Sequence, residues 1–367
     1  MSPCIRGTSN GVAERVSLNV QRYSPLHLLP MLSAIANAVS VYKVYKMSIH
    51  IKNKERKPGE FQFFMHQFVE AGIKKGFKPL SEFESNNFFV RLARKLSPLL
   101  KYFPKNKKSV IIACGGGSLY YSSRPYFRYN IIPFLWDVWP ENRNVLFDDI
   151  KKLKVKLAFV TSKQNKELIE KKTGIKCHYI PEGIDIADYS KGESLVDRVG
   201  EVYELGRQHP LYHKAVVSLV ERGDIRCYYG NEYDNEGRLL KLAFSTAEDL
   251  LLNINKIRIA ICFPQCDTHP QRVGNIETLT QRYWECMLSC NLIVGRAPQE
   301  LIDLIGYDPV VNVDWCNPEA QLSYILKNIG DYQPLVDKNY AAALKHASWD
   351  NRIEQIVNIL ATYGITL

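Results

Sequence analysis

The 367-residue chain contains no run of the ~18–20 apolar residues that a membrane-spanning helix requires. The nearest approach, residues 26–42, is interrupted by His27, Pro30 and Asn37, and no recognisable cleavage site follows it. Low-complexity tracts and repeats of fixed period are also missing, which excludes solenoids and fibrous arrays. There is no G-x-S-x-G elbow and no H-E-x-x-H, so the serine-hydrolase and zinc-protease chemistries lose their usual signatures. Cysteines are few for the length and odd in number, nine in all, and they are scattered. A chain this long does not need disulfide staples, so they read as reduced thiols in a cytosolic protein. Cys262/Cys266 and Cys286/Cys290 are spaced more widely than a C-x2-C zinc knuckle, and small buried residues are the expectation there.

What is present is an ordinary globular composition, 46% hydrophobic and 23% charged, at a length that favours two domains. The net charge of +10 is unevenly spread. Residues 1–190 hold 31 Lys and Arg against 15 Asp and Glu, whereas the remainder holds 17 against 23. Only the first half is therefore expected to meet an anionic partner: nucleic acid, an anionic membrane face or a phosphorylated substrate.

From Met47 onward short apolar runs alternate with amphipathic stretches, the rhythm of an α/β architecture. Strands are expected at 48–52, 110–114, 131–138, 157–161 and 177–180, then at 201–205, 225–229, 257–263 and 292–295. Helices are expected at 61–76, 163–172, 215–222, 277–290, 318–329 and 349–361. Residues 188–201 are polar and contain two glycines, which places a boundary there. The expected organisation is an extension at 1–46, a first α/β half at 47–190, a second at 200–348 and a terminal helix at 349–367.

The most informative segment runs from Gly274 to Gly295. Glu277 and Glu285 are eight apart, two helical turns plus about 80°, so on one helix they would share a face only loosely. The spacing is better served if Glu277 precedes a helix and Glu285 lies one to two turns inside it. Two acceptor carboxylates then line one pocket edge, suited to sugar and ribose hydroxyls, beside a helix N-terminus that favours a diphosphate.

This segment resembles the retaining GT-B glycosyltransferases of family 4, where a Glu, seven residues and then Glu-Ala-Met-Ala-x-Gly precede an apolar strand. Here the second Glu opens Glu285-Cys286-Met287-Leu288-Ser289-Cys290-Asn291, followed by Leu292-Ile293-Val294. Ala297-Pro298-Gln299-Glu300-Leu301 resembles the loop and helix start after that strand, and Asn317-Pro318-Glu319-Ala320 the later D-P-E-A helix. Ile180-Pro181-Glu182-Gly183-Ile184-Asp185 resembles V-P-N-G-V-D at the end of the acceptor domain, and Gly206-Arg207 the G-R that opens the donor domain. The resemblance covers roughly residues 47–367. Glu182 stands in place of Asn, Cys290 and Asn291 in place of a small residue and Gly, and Lys214 follows Arg207 by seven residues rather than about five. These departures point to a divergent branch, closer to capsule and surface-polysaccharide transferases.

The resemblance implies two Rossmann-like domains facing each other across a cleft, with a C-terminal helix crossing back to the first. It implies a nucleotide-sugar donor, a glycan or lipid-linked acceptor, and transfer with retention. Glu277 becomes a catalytic candidate. Glu285 takes the family's ribose-binding position, and Arg207, Lys214, Arg282 and Thr280 complete the donor-binding set. Arg207 follows a glycine at a strand's carboxyl end, where open α/β sheets bind ligands and where an Arg can hold a diphosphate bidentately. Arg282 is either a second such cation or a member of a helix-surface ion pair. On the acceptor side, Gly116 and Gly117 let backbone approach a sugar. Their run fails G-x-G-x-x-G at Tyr120, so no dinucleotide cofactor is expected. Asp137 either orients and deprotonates an acceptor hydroxyl or caps a turn between tryptophans.

No D-x-D occurs in the chain, so the diphosphate is expected to be carried by Arg, Lys and helix N-termini without a metal. Phe88–Lys108 interleaves apolar and basic residues, either as an interfacial segment on an anionic membrane or as a surface helix. A sugar-nucleotide epimerase or hydrolase of the same fold is the alternative, although it would not need the basic half. A nucleic-acid-binding protein is disfavoured, because recognition signatures are missing and the acidic half would be unexplained.

Overall fold

Runs such as Val110-Ile111-Ile112 and Leu157-Ala158-Phe159-Val160 place apolar side chains on both sides of an extended backbone, so each must be covered on two faces. In the computed structural model they form the centre of a parallel sheet. The structure describes residues 49–52, 64–80, 95–204, 206–234 and 239–367, all within one compact unit. The expected extension at 1–46 lies outside these residues, as do Phe88 to Arg94 of the basic segment.

The first sheet comprises β1 (Ile49–Lys52), β2 (Lys78–Leu80), β3 (Ser109–Gly115), β4 (Asn130–Trp136), β5 (Leu157–Val160) and β6 (Lys176–Tyr179). Its order is β2-β1-β3-β4-β5-β6, and every pairing is parallel. The second contains β7 (Gly200–Glu204), β8 (Tyr228–Tyr229), β11 (Ile257–Cys262), β12 (Leu292–Gly295) and β13 (Val311–Asn312), ordered β13-β12-β11-β7-β8 and again parallel. Between β8 and β11 in sequence, β9 (Glu232–Tyr233) pairs antiparallel with β10 (Leu239–Lys241).

Each sheet is covered on both faces, and the pleat assigns alternate residues to each cover. In the first sheet Val110 and Ile112 pack with Leu146, Ile150 and Ile169, whereas Ile111 joins Ile49, Phe134 and Trp136 on the other side. In the second, Leu292 and Val294 meet Tyr212, Val216 and Leu322, while Ile293 meets Trp284 and Met287.

The terminal helix Trp349–Thr362 follows the second half in sequence but packs on the first sheet, with Trp349, Ile353, Ile356 and Leu360 in the cluster of Phe68 and Phe134. Its entry is fixed by backbone bonds, Ile184 N–H to Ala347 O at 2.9 Å and Trp349 N–H to Ile184 O at 3.2 Å. Ser348 caps it, accepting from Asn351 N–H at 3.2 Å. The Trp349 ring then meets Phe68 edge-on at 5.4 Å.

Two helices begin elsewhere than the sequence pattern indicates. Pro210–Glu221 starts five residues before Ala215, because Pro210 is preorganised for the first helical position. The helix expected at 277–290 is confined to Gln281–Leu288. Gln333–His346 has too little apolar periodicity to announce itself, and Arg143–Lys152 is a further helix that the sequence pattern does not indicate.

Candidate functional site

In open α/β sheets ligands bind beyond the carboxyl ends of the strands. Here those ends belong to both sheets and face one another. Trp139, just after β4, packs with Val273 and Ile276 of the second half. Gln164 accepts from Glu277 N–H at 2.7 Å and donates to Asn275 O at 3.1 Å, and Ser162 Oγ donates to Glu277 O at 3.1 Å.

Arginines gather at this cleft. Arg207 follows β7 and is largely buried, and its Nε has no hydrogen-bond partner. Burial, then repulsion from Arg282, lowers its pKa to about 10, with Asp137 opposing and Arg272 adding to the fall. Arg282 lies on Gly206, which has φ +69°; a side chain there would bring its Cβ to 2.5 Å from Arg282 Nη2. Only glycine suits both the backbone conformation and that approach. Arg272 makes a long ion pair with Glu141 at 3.7 Å across the cleft. Asp137 faces this group from the first half. It is open to solvent yet deep between the halves, and desolvation raises its pKa against the pull of Arg207 and Arg272. Its φ of +49° is uncommon for a residue with a Cβ. Gly116 makes that turn possible, because its missing Cβ leaves room for the Asp137–Val138 backbone.

Glu277 precedes the helix and Glu285 lies on its second turn. Both oxygens of Glu277 accept bonds from the protein: one pairs with Arg296, and the other takes Gln299 N–H at 2.9 Å. Arg296 also clasps Asp267 through Nε at 2.6 Å and Nη2 at 2.8 Å, and these bonds raise its already high pKa. Glu285 accepts from Tyr189 O–H at 3.1 Å; burial raises its pKa, with Arg282 and that bond opposing.

Thr280 is the half-buried N-cap of the helix, and its side chain makes no capping bond. The role falls to Glu182, which accepts from Gln281 N–H at 3.2 Å. Burial, followed by Asp137, raises the Glu182 pKa to about 8. Gly117 faces open space in the loop after β3, and Lys214 lies on the exposed side of helix Pro210–Glu221. The structure thus brings Arg207, Arg282 and Asp137 into one neighbourhood, with Glu285 beside Arg282. It holds Glu277 in the Arg296–Asp267 cluster.

The sequence pattern does not single out Arg272 or Arg296. Arg296 had a signal of its own, being the first residue after Gly295 at a strand's carboxyl end. Among the described residues no group of three or more His, Cys, Asp or Glu could hold a metal ion. Cys262 and Cys286 lie side by side, 3.9 Å apart and buried. No described helix is long and apolar enough to cross a membrane.

No family model matches the chain, and no curated protein sequence matches it. Solved structures do. The chain is similar to HepE of Anabaena, crystallised with UDP and glucose, at TM-score 0.53 and 11% identity over 86% of this chain and 100% of that one. It is similar to AviGT4, a glycosyltransferase involved in avilamycin A biosynthesis, at TM-score 0.52 and 12% identity over 87% and 98%. It is similar also to sucrose-phosphate synthase of Thermosynechococcus elongatus, at TM-score 0.56 and 10% identity over 86% and 99%. At such identities the likeness establishes architecture: two parallel α/β halves facing across a cleft, with the last helix returned to the first half, which is the GT-B fold.

Proposed function

We propose that this protein is a glycosyltransferase that takes a sugar from a nucleotide-sugar donor bound between its two halves. The observation that carries this reading is the group Arg207, Arg282 and Arg272 at the carboxyl end of the second sheet, facing Asp137. A buried guanidinium Nε without a partner costs stability, and a diphosphate would supply the missing acceptor. As the bond between the sugar and the terminal phosphate breaks, charge grows on the departing diphosphate. Fixed arginines already aimed at it lower that barrier without reorganising. Asp137, whose pKa is raised, orients an acceptor hydroxyl and takes its proton as the hydroxyl attacks. Glu285, adjacent to the arginines, receives the ribose hydroxyls. HepE, with its UDP complexes, makes UDP the first nucleotide to try.

The reading extends to retention of configuration, on the resemblance around Glu277 and Glu285, and to activity without a metal, because no D-x-D motif is present. A lipid-linked or glycan acceptor in surface polysaccharide synthesis, reached at an anionic membrane, fits the exposed Leu96, Leu99, Tyr102 and Phe103 beside Lys95 and Lys101. The test is to incubate the protein with a panel of nucleotide sugars and follow nucleoside diphosphate release, with and without candidate acceptors. Release from at least one donor is expected, and release from none overturns the reading.

A further inference from the structure

A cavity of about 460 Å³ opens beyond the carboxyl ends of β11, β12 and β13. Its size is that of a small-molecule site. His209, Phe263 and Trp315 form its apolar wall, with the His209 ring 4.8 Å from both aromatic rings. Trp315 is 51% exposed, so a large part of its flat ring is left to solvent. Opposite lie Asp267, Arg296 and Asn312. The floor passes Gly295, whose φ of +142° and close approach to the Cys262 carbonyl leave no room for a Cβ.

The polar groups have capacity to spare. Asp267 uses both oxygens on Arg296; Oδ1 also accepts from the Cys266 thiol, and Oδ2 keeps a further lone pair. Asn312, which lines the cavity, spends one amide N–H on Asp308 at 2.7 Å. His209 Nδ1 is buried and has no hydrogen-bond partner. A flat aromatic face beside carboxylate and amide is the chemistry that receives a pyranose. The ring's C–H face lies on the indole, and its hydroxyls reach the polar side. Arg207 lies only two residues before His209, so this cavity adjoins the arginine group.

We propose that this cavity is a pyranose subsite, with Trp315 as its platform and Asp267 and Asn312 as its hydroxyl partners. The proposal rests on the transferase reading, and the sugar has two sources: the donor's own, or a glycan acceptor. Calorimetric titrations of wild type, Trp315→Ala and Trp315→Phe with UDP, UDP-glucose and maltotriose separate them. If the donor's sugar is held here, Trp315→Ala weakens UDP-glucose roughly tenfold, about 1.4 kcal/mol, and leaves UDP unchanged. If an acceptor is held here, only maltotriose weakens. In either case Trp315→Phe, which keeps a flat ring, stays near wild type. UDP and UDP-glucose weakening together, or no ligand changing, overturns the subsite and leaves the transferase reading intact. A wild type that binds neither UDP, UDP-glucose nor any other nucleoside diphosphate or nucleotide sugar titrated in parallel overturns the transferase reading, and the subsite falls with it.

Discussion

The two halves share one construction and use their charge at opposite ends of it. In the first half, lysines and an arginine stand where the parallel strands begin: Lys78 opens β2, Lys108 precedes β3, Arg128 lies before β4, Lys156 precedes β5 and Lys176 opens β6. All are exposed. At the other end of that sheet, toward the cleft, the half presents Asp137 and glycines. The second half, acidic overall, instead concentrates Arg207, Arg272, Arg282 and Arg296 at its strand ends. Net charge thus identifies the half that is basic, but not the half whose cations face the cleft. Parallel sheets make the distinction sharp, because all their strands begin on one side and end on the other.

The largest expected effect tests how the halves are joined. Trp349→Ala removes a buried ring shared by the crossing helix and the first sheet, and should cost about 3–5 kcal/mol in denaturant unfolding. A loss below about 1 kcal/mol would show that the crossing helix contributes little. Next comes the cleft. Arg207→Ala should weaken nucleoside diphosphate binding by about 1.5–3 kcal/mol, and Glu285→Ala by a similar amount, both read by calorimetry. Reversing Lys108, Lys156 and Lys176 to Glu should leave that affinity unchanged. If the reversed lysines weaken the nucleotide as much as the arginine does, the division between the two ends is wrong.

Glu182 gives a pH-dependent effect. Its folded pKa of about 8 exceeds the ordinary carboxyl value of 4.5, so the folded chain binds the extra proton. Its contribution to stability is fully present below about pH 4.5 and is lost as pH rises through about 8. Glu182→Gln should therefore raise the melting temperature near pH 9 by a few degrees and change it least near pH 5. An equal shift at both pH values would mean that the carboxyl does not titrate in this range. A further effect belongs to the basic edge. The same Lys-to-Glu reversals should lower binding to anionic liposomes by about 1 kcal/mol per residue at low salt, and by little at high salt. Liposome binding that ignores both salt and these residues would leave the edge without that role.

Much of the architecture was legible because buried parallel strands are written as unbroken apolar runs. β3, β4, β5, β11 and β12 lie within two residues of where those runs place them. The position of Glu277 ahead of the helix and Glu285 within it also followed from spacing. What could not be read was who partners whom. Glu277 is engaged by Arg296, nineteen residues away, and by the start of another helix. Glu182, visible only as a substitution for Asn, becomes the acceptor at the helix mouth because the chain folds back 99 residues to meet Gln281. Arg272 acquires its place only when the halves meet. Helices with weak periodicity, such as Gln333–His346, are held by tertiary packing that no local pattern records.

The central claim is that cations of the second half, and no metal, hold a nucleoside diphosphate in the cleft. The most direct test is a calorimetric titration of UDP, with other nucleoside diphosphates in parallel, into wild type and Arg207→Ala in the presence of EDTA. The account predicts saturable binding of at least one nucleotide to wild type under chelation, weakened at least tenfold in the variant. Binding that vanishes in EDTA and returns with Mn²⁺, or that is indifferent to Arg207, would contradict it.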